Sequence, residues 1–152
     1  MNLEESIKKE TIALLDLMKI KAECVVSFDD DMYTVHLTVD EDDDPARLIG
    51  HHADVLNSLQ RILSIIIFQQ KQERVSLLVD VNDYRERQKE RLEGIAANVA
   101  QRVMDGEEEQ TLHSFSPYER KVVHIYISQN YPDLQTTSEG EGDSRHLVIQ
   151  KK

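Results

Sequence analysis

The sequence predicts an α+β protein made of two small domains, and three features of the chain lead to this prediction. Apolar residues recur at helical spacing near the N-terminus and again after residue 54, and runs rich in β-branched residues lie beside both segments. A charged segment with helical periodicity then separates the two halves. We therefore expect one domain over residues 1–81 and a second over residues 82–152, which includes a joining helix over residues 83–105.

In the first half, the elements are predicted in the order helix, strand, strand, helix, helix, strand. Apolar side chains three or four residues apart predict an amphipathic helix over residues 3–18. Two strands rich in β-branched residues follow, with three aspartates as the turn between them. Asp54 is expected to cap a long helix that carries an apolar stripe. The remaining elements are strands over residues 24–28, 33–39 and 75–79 and a short helix over residues 45–49 that is broken at Gly50.

The second half should contain a helix that begins at Pro117. Ser116 is a favourable N-cap residue, and proline is favoured at the first helical position. Glu119 stands at the position that completes a capping box with Ser116. The remaining elements are the end of the joining helix at Gly106, a strand that begins the second sheet over residues 111–113, and a last strand over residues 147–149.

Arg120 and His124 are the main candidates for a binding site. They are four residues apart, so they share one face of the predicted helix, and both side chains can donate hydrogen bonds to a phosphate. The other faces carry Val122, Val123 and Ile127, which should make the core contacts. Two interpretations remain open at this point: an anion-binding site, or a local ion pair with ordinary contacts on the helix surface.

This segment resembles the R-three-H domain, a single-stranded nucleic-acid-binding module named after an Arg and a His separated by three residues. The likeness extends to Thr136, Ser138, Gly140 and Arg145, which fall where that family has its Thr-x-Ser-x-Gly turn and terminal arginine. The resemblance implies that Arg120 and His124 hold a phosphate, that Arg145 flanks them from the last strand, and that Ser138 and Gly140 shape the loop beneath. The implied nucleic-acid-binding set is Arg120, His124, Arg145, Ser138, Gly140, Thr136, Lys121 and Tyr118, with Tyr118 as a surface on which a base can stack.

The order of elements in the first half resembles that of the prokaryotic-type (type II) KH domain, which contacts RNA through a Gly-x-x-Gly loop. The resemblance places Arg47 and the run Gly50-His51-His52-Ala53 in this loop. The run departs from the family pattern, because its middle residues are histidines, mostly neutral near pH 7, and because alanine restricts φ where the family has glycine. Two possibilities stay open, an RNA-binding surface or a KH fold without one.

The two halves in this order, joined through Asp80-Val-x-Asp-Tyr-Arg-Glu-Arg87, resemble the Jag family of bacterial proteins. Many members carry a further N-terminal domain, and we expect this chain to lack it. The resemblance implies a cytoplasmic RNA-binding protein that acts as a post-transcriptional, cell-envelope or sporulation-associated regulator. The alternative is a protein–protein interaction module, a partner of another small KH protein, in which RNA binding is vestigial.

The charge distribution limits how nucleic acid can be bound. The formal net charge is −11, which argues against a protein that coats polyanions without specificity. Much of the acid lies in consecutive runs at predicted turns, over residues 29–31, 40–44 and 107–109. Any nucleic-acid contact should therefore be local and sensitive to salt. Arg85 and Arg91 on the joining helix are interpreted either as parts of a solvated, salt-bridged surface or as phosphate contacts.

Neither enzymatic chemistry nor a bound metal or cofactor is expected. The six histidines show no His-x3-His or His-Glu-x-x-His spacing, and no Gly-x4-Gly-Lys phosphate loop is present. One cysteine, Cys24, cannot form an internal disulfide, and it lies in a predicted strand where a buried, inert thiol is expected. No signal peptide and no apolar run long enough for a membrane span is found, so a cytoplasmic location is expected.

Overall fold

The computed structural model describes residues 1–152 and has an α+β fold, which confirms the predicted class. It divides into two compact units, an N-terminal unit of Met1–Arg85 and a C-terminal unit of Glu86–Lys152. The helices are α1 (Leu3–Leu17), α2 (Pro45–Ile49), α3 (Asp54–Lys71), α4 (Tyr84–Met104) and α5 (Pro117–Asn130). The strands are β1 (Glu23–Asp29), β2 (Met32–Thr38), β3 (Ser76–Val81), β4 (Gln110–Leu112), β5 (Leu134–Glu139) and β6 (His146–Lys151).

The N-terminal unit is a three-stranded sheet in the order β1-β2-β3, with α1 and α3 packed against it. Strands β1 and β2 form an antiparallel hairpin, whereas β2 and β3 run parallel. At the hairpin turn Asp30 and Asp31 both have positive φ, as a two-residue turn of this kind requires. The core is formed by apolar side chains from both helices and the sheet, among them Ile7, Val35, Leu56, Leu63 and Val79.

Side-chain bonds fix the end of β3 and the start of α4. The amide of Asn82 donates to the carbonyl of Val39 and accepts from its N–H, both at 2.9 Å. The Arg85 guanidinium donates to the carbonyl of Val79 at 3.0 Å and to Oε1 of Gln60 at 3.2 Å. These acceptors within the N-terminal unit occupy the Arg85 guanidinium, which favours a structural role over a phosphate contact.

The C-terminal unit has a three-stranded antiparallel sheet in the order β4-β6-β5. One core cluster contains apolar residues from α4, α5, β5 and β6, including the fully buried Leu92, Val123, Ile127 and Ile149. Helix α5 contacts β5, so residues on one face of α5 lie close to residues of the sheet. This contact places the candidate site.

Two local predictions are wrong. Asp54 is the first helical residue of α3 and not its cap. The N-cap is Ala53, in the left-handed region, and the Asp54 carboxylate accepts from the neighbouring N–H of Val55. The predicted strand over residues 111–113 is β4, one residue earlier, so His113 lies just beyond it. Short strands are the hardest to place from sequence, because pairing with a neighbour sets their ends.

Cys24 is buried within the N-terminal unit, with 4 % of its surface exposed. Burial raises the pKa of its thiol above the ordinary value, and the nearby Lys8 ammonium opposes this shift. The predicted burial of this thiol is confirmed, and its low reactivity stays a prediction. Among the helices, none combines the length and apolar character needed to cross a membrane.

Candidate nucleic-acid interface

The start of α5 is fixed by a reciprocal capping box. The Ser116 hydroxyl accepts from the N–H of Glu119 at 3.2 Å, and the Glu119 carboxylate accepts from the N–H of Ser116 at 2.7 Å. Glu119 is only 3 % exposed, and its carboxylate also accepts from Nε2 of Gln88 at 3.0 Å. The capping box predicted from sequence is confirmed, and it sets the direction in which the next turn of α5 presents its side chains.

An open pocket of about 400 Å³ lies between α5, β5 and β6. It is lined by Pro117, Arg120, Lys121, His124, Thr136, Ser138, Arg145 and Leu147. Six of the eight residues proposed from sequence for the second half therefore surround one cavity. Its polar lining consists of guanidinium, ammonium, imidazole and hydroxyl groups, and no carboxylate lines it. Such a set of donors and positive charges favours an anion.

Arg120 and His124 are held in place by neighbouring groups. The Arg120 guanidinium donates from Nη1 to the carbonyl of Phe115 at 2.6 Å, which restrains the side chain and leaves its other N–H groups for a ligand. On the next turn, Nδ1 of His124 is hydrogen-bonded to the hydroxyl of Thr136 on β5. That bond orients the ring and leaves Nε2 as the other polar atom of the imidazole.

Arg145 reaches the pocket from the residue before β6, and the loop that precedes it positions the side chain. Its Nη1 donates to the carbonyl of Gly140 at 2.9 Å. Gly140 has a φ of +85°, and a Cβ at this position would lie 2.9 Å from the backbone oxygen of Ser144. Gly140 itself does not line the pocket. Its contribution is the backbone path that brings Arg145 to the cavity.

Tyr118 lies outside the pocket lining and is exposed on the neighbouring face of α5. Ile125, seven residues later on the same face, is exposed as well. Sequence reasoning missed Ile125 because an apolar residue on a helix is ordinarily assigned to the core. The signal that was present is its spacing from Tyr118 and its offset from the buried Val123 and Ile127.

In the N-terminal unit, the loop from Gly50 to Ala53 connects α2 and α3. Gly50 has a φ of +76°, and a Cβ there would lie 2.9 Å from the backbone nitrogen of Val55. His52 and Ala53 also have positive φ, of 51° and 60°. Ala53 therefore adopts a left-handed backbone despite its methyl group, at a cost of roughly 1–2 kcal/mol.

The polar side chains of this loop include the exposed His51 and the half-buried His52. The rings of His51 and His52 are 4.0 Å apart at an angle of 61°, and Arg47 is exposed on α2. In the C-terminal unit the rings of His113 and His146 are 5.3 Å apart. No group of three or more His, Cys, Asp or Glu side chains is arranged to hold a metal ion.

The C-terminal unit is similar to a known family of domains. Residues 90–151 match the family model of the R-three-H domain, and this range contains every residue that lines the pocket. The C-terminal unit is thus similar in sequence to the R-three-H domain.

Nearly the whole chain is similar to proteins named RNA-binding protein KhpB. The protein from Clostridium symbiosum is 29% identical over 153 residues, which cover 98% of this chain and 68% of the relative. The protein from Bacillus subtilis (strain 168) is 32% identical over 109 residues, which cover 70% of this chain and 52% of the relative. The protein from Streptococcus pneumoniae serotype 2 is 28% identical over 149 residues, which cover 95% of this chain and 44% of the relative.

Proposed function

We propose that the chain is a binding protein for single-stranded RNA that holds a backbone phosphate in the pocket between α5, β5 and β6. The observation that carries this proposal is the pocket lining, in which every polar side chain is a cation, an imidazole or a hydroxyl although the protein has a net charge of −11. The R-three-H match over the same residues and the name of the relatives support RNA as the ligand.

Each polar residue of the pocket lining has a role in this proposal. The planar guanidinium groups of Arg120 and Arg145 donate to phosphate oxygens from two sides, and Lys121 adds a point charge. His124 donates from Nε2 when this atom is protonated, and Thr136 fixes the ring. The hydroxyl of Ser138 adds a further donor to the lining of the cavity.

We propose that the N-terminal unit acts as a type II KH domain. This proposal is supported by its helices and strands, which follow one another in the order expected from the sequence. Its loop of Arg47, Gly50, His51, His52 and Ala53 makes a second, weaker contact to RNA. We also propose the functional division predicted from the sequence, 1–81 and 82–152, whereas the compact units of the structure divide after Arg85. We further propose that the protein acts in the cytoplasm, without catalysis, as a post-transcriptional regulator of the kind implied by the Jag resemblance.

The test is RNA binding by a variant in which Arg120 and His124 are both changed to alanine. Losing two charge-assisted contacts should weaken the affinity for an unstructured RNA at least about tenfold. It should also reduce the slope of log affinity against log salt by roughly 0.7 for the phosphate released. Fluorescence anisotropy at several salt concentrations measures both quantities.

The matched control is Arg102→Ala. Arg102 lies on α4 and forms an ion pair with Glu107 at 3.0 Å, outside the pocket, so its replacement removes a positive charge without touching the site. The control variant should bind like the unchanged protein. Equal affinities for all three proteins would refute the phosphate site.

A second candidate function, binding another protein, is favoured by exposed apolar side chains in the N-terminal unit. Leu17 on α1 is 81% exposed, and Ile62 and Ile65 on α3 are 48% and 53% exposed. In this alternative the partner is another small KH protein, and the RNA contact is vestigial. Two results together would favour protein binding over RNA binding. The first is that no salt-dependent affinity for RNA is seen at low micromolar protein. The second is self-association, or binding of another small KH protein, that is lost in the variant Ile62→Ser.

A further inference from the structure

We propose that a strip on the exposed face of α5, formed by Tyr118, Lys121 and Ile125 (the α5 strip), contacts the bases of the strand whose phosphate occupies the pocket. The inference rests on the proposed function. It adds that binding at this site depends on bases as well as on phosphate charge, and it names the residues responsible.

The geometry of the helix aligns the three side chains. Positions three and seven residues apart return to nearly the same side of an α-helix, so Tyr118, Lys121 and Ile125 form one line along α5. Seven residues at 1.5 Å each separate the ends of this line by roughly 10 Å. That length accommodates more than one nucleotide of an extended strand.

The exposure of the strip contrasts with the other apolar residues of the helix. Tyr118 is 56% exposed and Ile125 is 42% exposed, whereas Val123 and Ile127 on the opposite side are fully buried. The core of the C-terminal unit therefore does not use these two side chains. An aromatic ring and a branched aliphatic group in solvent, on either side of a lysine, form an amphipathic surface on which the flat face of a base can lie.

The charge on this face identifies the occupant. Glu119 is the one carboxylate on α5, and it is buried in the capping box, away from the strip. The exposed face of α5 is therefore free of acid in a protein with 29 acidic residues. A strand of nucleic acid meets attraction along this face and no repulsion from the helix itself.

Continuity with the pocket favours nucleic acid over a protein partner. Lys121 belongs to the strip and also lines the pocket next to Arg120 and His124. A strand held there by one phosphate has its neighbouring nucleotides beside Lys121, where Tyr118 and Ile125 lie on either side along the helix. Stacking requires an unpaired base, so the strip contributes to binding of single strands and not of duplexes.

The experiment compares two fluorescent oligonucleotides with equal numbers of phosphates, one carrying uracil bases and one abasic throughout. The double variant Tyr118→Ala with Ile125→Ala should bind the base-containing probe about tenfold more weakly and the abasic probe like the unchanged protein. Arg120→Ala should weaken binding of both probes. Met104→Ala, which removes an exposed apolar side chain from α4, serves as the control and should bind both probes normally.

The outcomes separate this inference from the function on which it rests. Unchanged affinity of the double variant for the base-containing probe, or an equal loss on both probes, would overturn the role of the α5 strip. In either case the loss caused by Arg120→Ala would still test the phosphate pocket. Thermal unfolding of each variant checks that the C-terminal unit remains folded.

Discussion

The guanidinium of Arg145 donates a hydrogen bond to the carbonyl of Gly140 across the loop that joins β5 and β6. This bond ties the one cation that comes from the sheet side of the pocket to a residue whose backbone only glycine adopts easily. The site therefore depends on the backbone conformation of the loop between β5 and β6 as much as on the charged side chains that line the pocket.

Gly140→Ala should weaken both folding and RNA binding. Its φ of +85° and the 2.9 Å approach of an added Cβ to the Ser144 oxygen force the loop to shift. We expect a loss of about 1–3 kcal/mol in the free energy of unfolding, because a left-handed alanine is strained and the contact is with backbone. Denaturant titration measures the stability, and RNA titration shows the displacement of Arg145.

Gly142→Ala is the matched control for this change. Gly142 lies in the same loop with a φ of +57°, but nothing lies within 4 Å of an added Cβ. The Gly142→Ala variant has the strain of a left-handed alanine but no clash of the added Cβ, so its affinity for RNA should equal that of the unchanged protein. A loss of affinity as large as that of Gly140→Ala would contradict the role given to the Gly140 path.

Ser116→Ala should lower both the stability of the protein and its affinity for RNA. The hydroxyl of Ser116 satisfies the N–H of Glu119, and its loss should cost about 1 kcal/mol of stability. The same substitution at Asn2, which forms the capping box of α1 with Glu5, should cost a similar amount. Only Ser116→Ala should lower RNA affinity, because only α5 carries Arg120 and His124. Equal RNA affinities would show that the first turn of α5 does not position the site.

Two glycines outside the pocket should respond to alanine in opposite ways. Gly50→Ala should destabilise the N-terminal unit by about 2 kcal/mol or more, since the added Cβ meets Val55 and φ is positive. Gly94→Ala should stabilise the protein by about 0.5–1 kcal/mol, because Gly94 lies within α4 with open space around it. Chemical unfolding of both variants tests the prediction, and a stabilising Gly50→Ala would contradict the described loop.

Cys24 should react slowly and give a pH-dependent stability. Its buried thiol has a raised pKa, so the unfolded chain releases this proton at a lower pH than the folded protein does. The free energy of unfolding should then fall as pH rises above the ordinary thiol value of 9.0. Cys24→Ala should remove this part of the pH dependence, and rapid labelling of the native thiol near neutral pH would contradict burial.

Local sequence signals predicted the helix that carries the site. The Ser116-Pro117 start and Glu119 are contained within four residues, so capping chemistry alone fixed the beginning of α5. The meeting of Arg120 with Arg145 depends on the contact between α5 and the sheet. The spacing of residues within one helix could not predict that Arg120 and Arg145 lie near one another. Only the resemblance to the R-three-H domain predicted it.

The features that sequence reasoning missed depend on tertiary contacts. Ala53 is left-handed although alanine disfavours this region, and no local sequence pattern predicts such a backbone. Arg85 is bonded to Gln60, 25 residues earlier, and no local pattern reveals that partner. Ile125 is exposed because the core of the C-terminal unit is complete without it. Neither burial nor distant pairing can be read from periodicity alone.

The most direct test of the phosphate pocket is a nuclear magnetic resonance titration of the isotope-labelled protein with a short single-stranded RNA. We predict that the largest shifts occur at residues that line the pocket, above all Arg120, His124 and Arg145, and that these shifts diminish as salt is raised. Shifts confined to residues outside the C-terminal unit, or no shifts at all at millimolar RNA, would contradict this prediction.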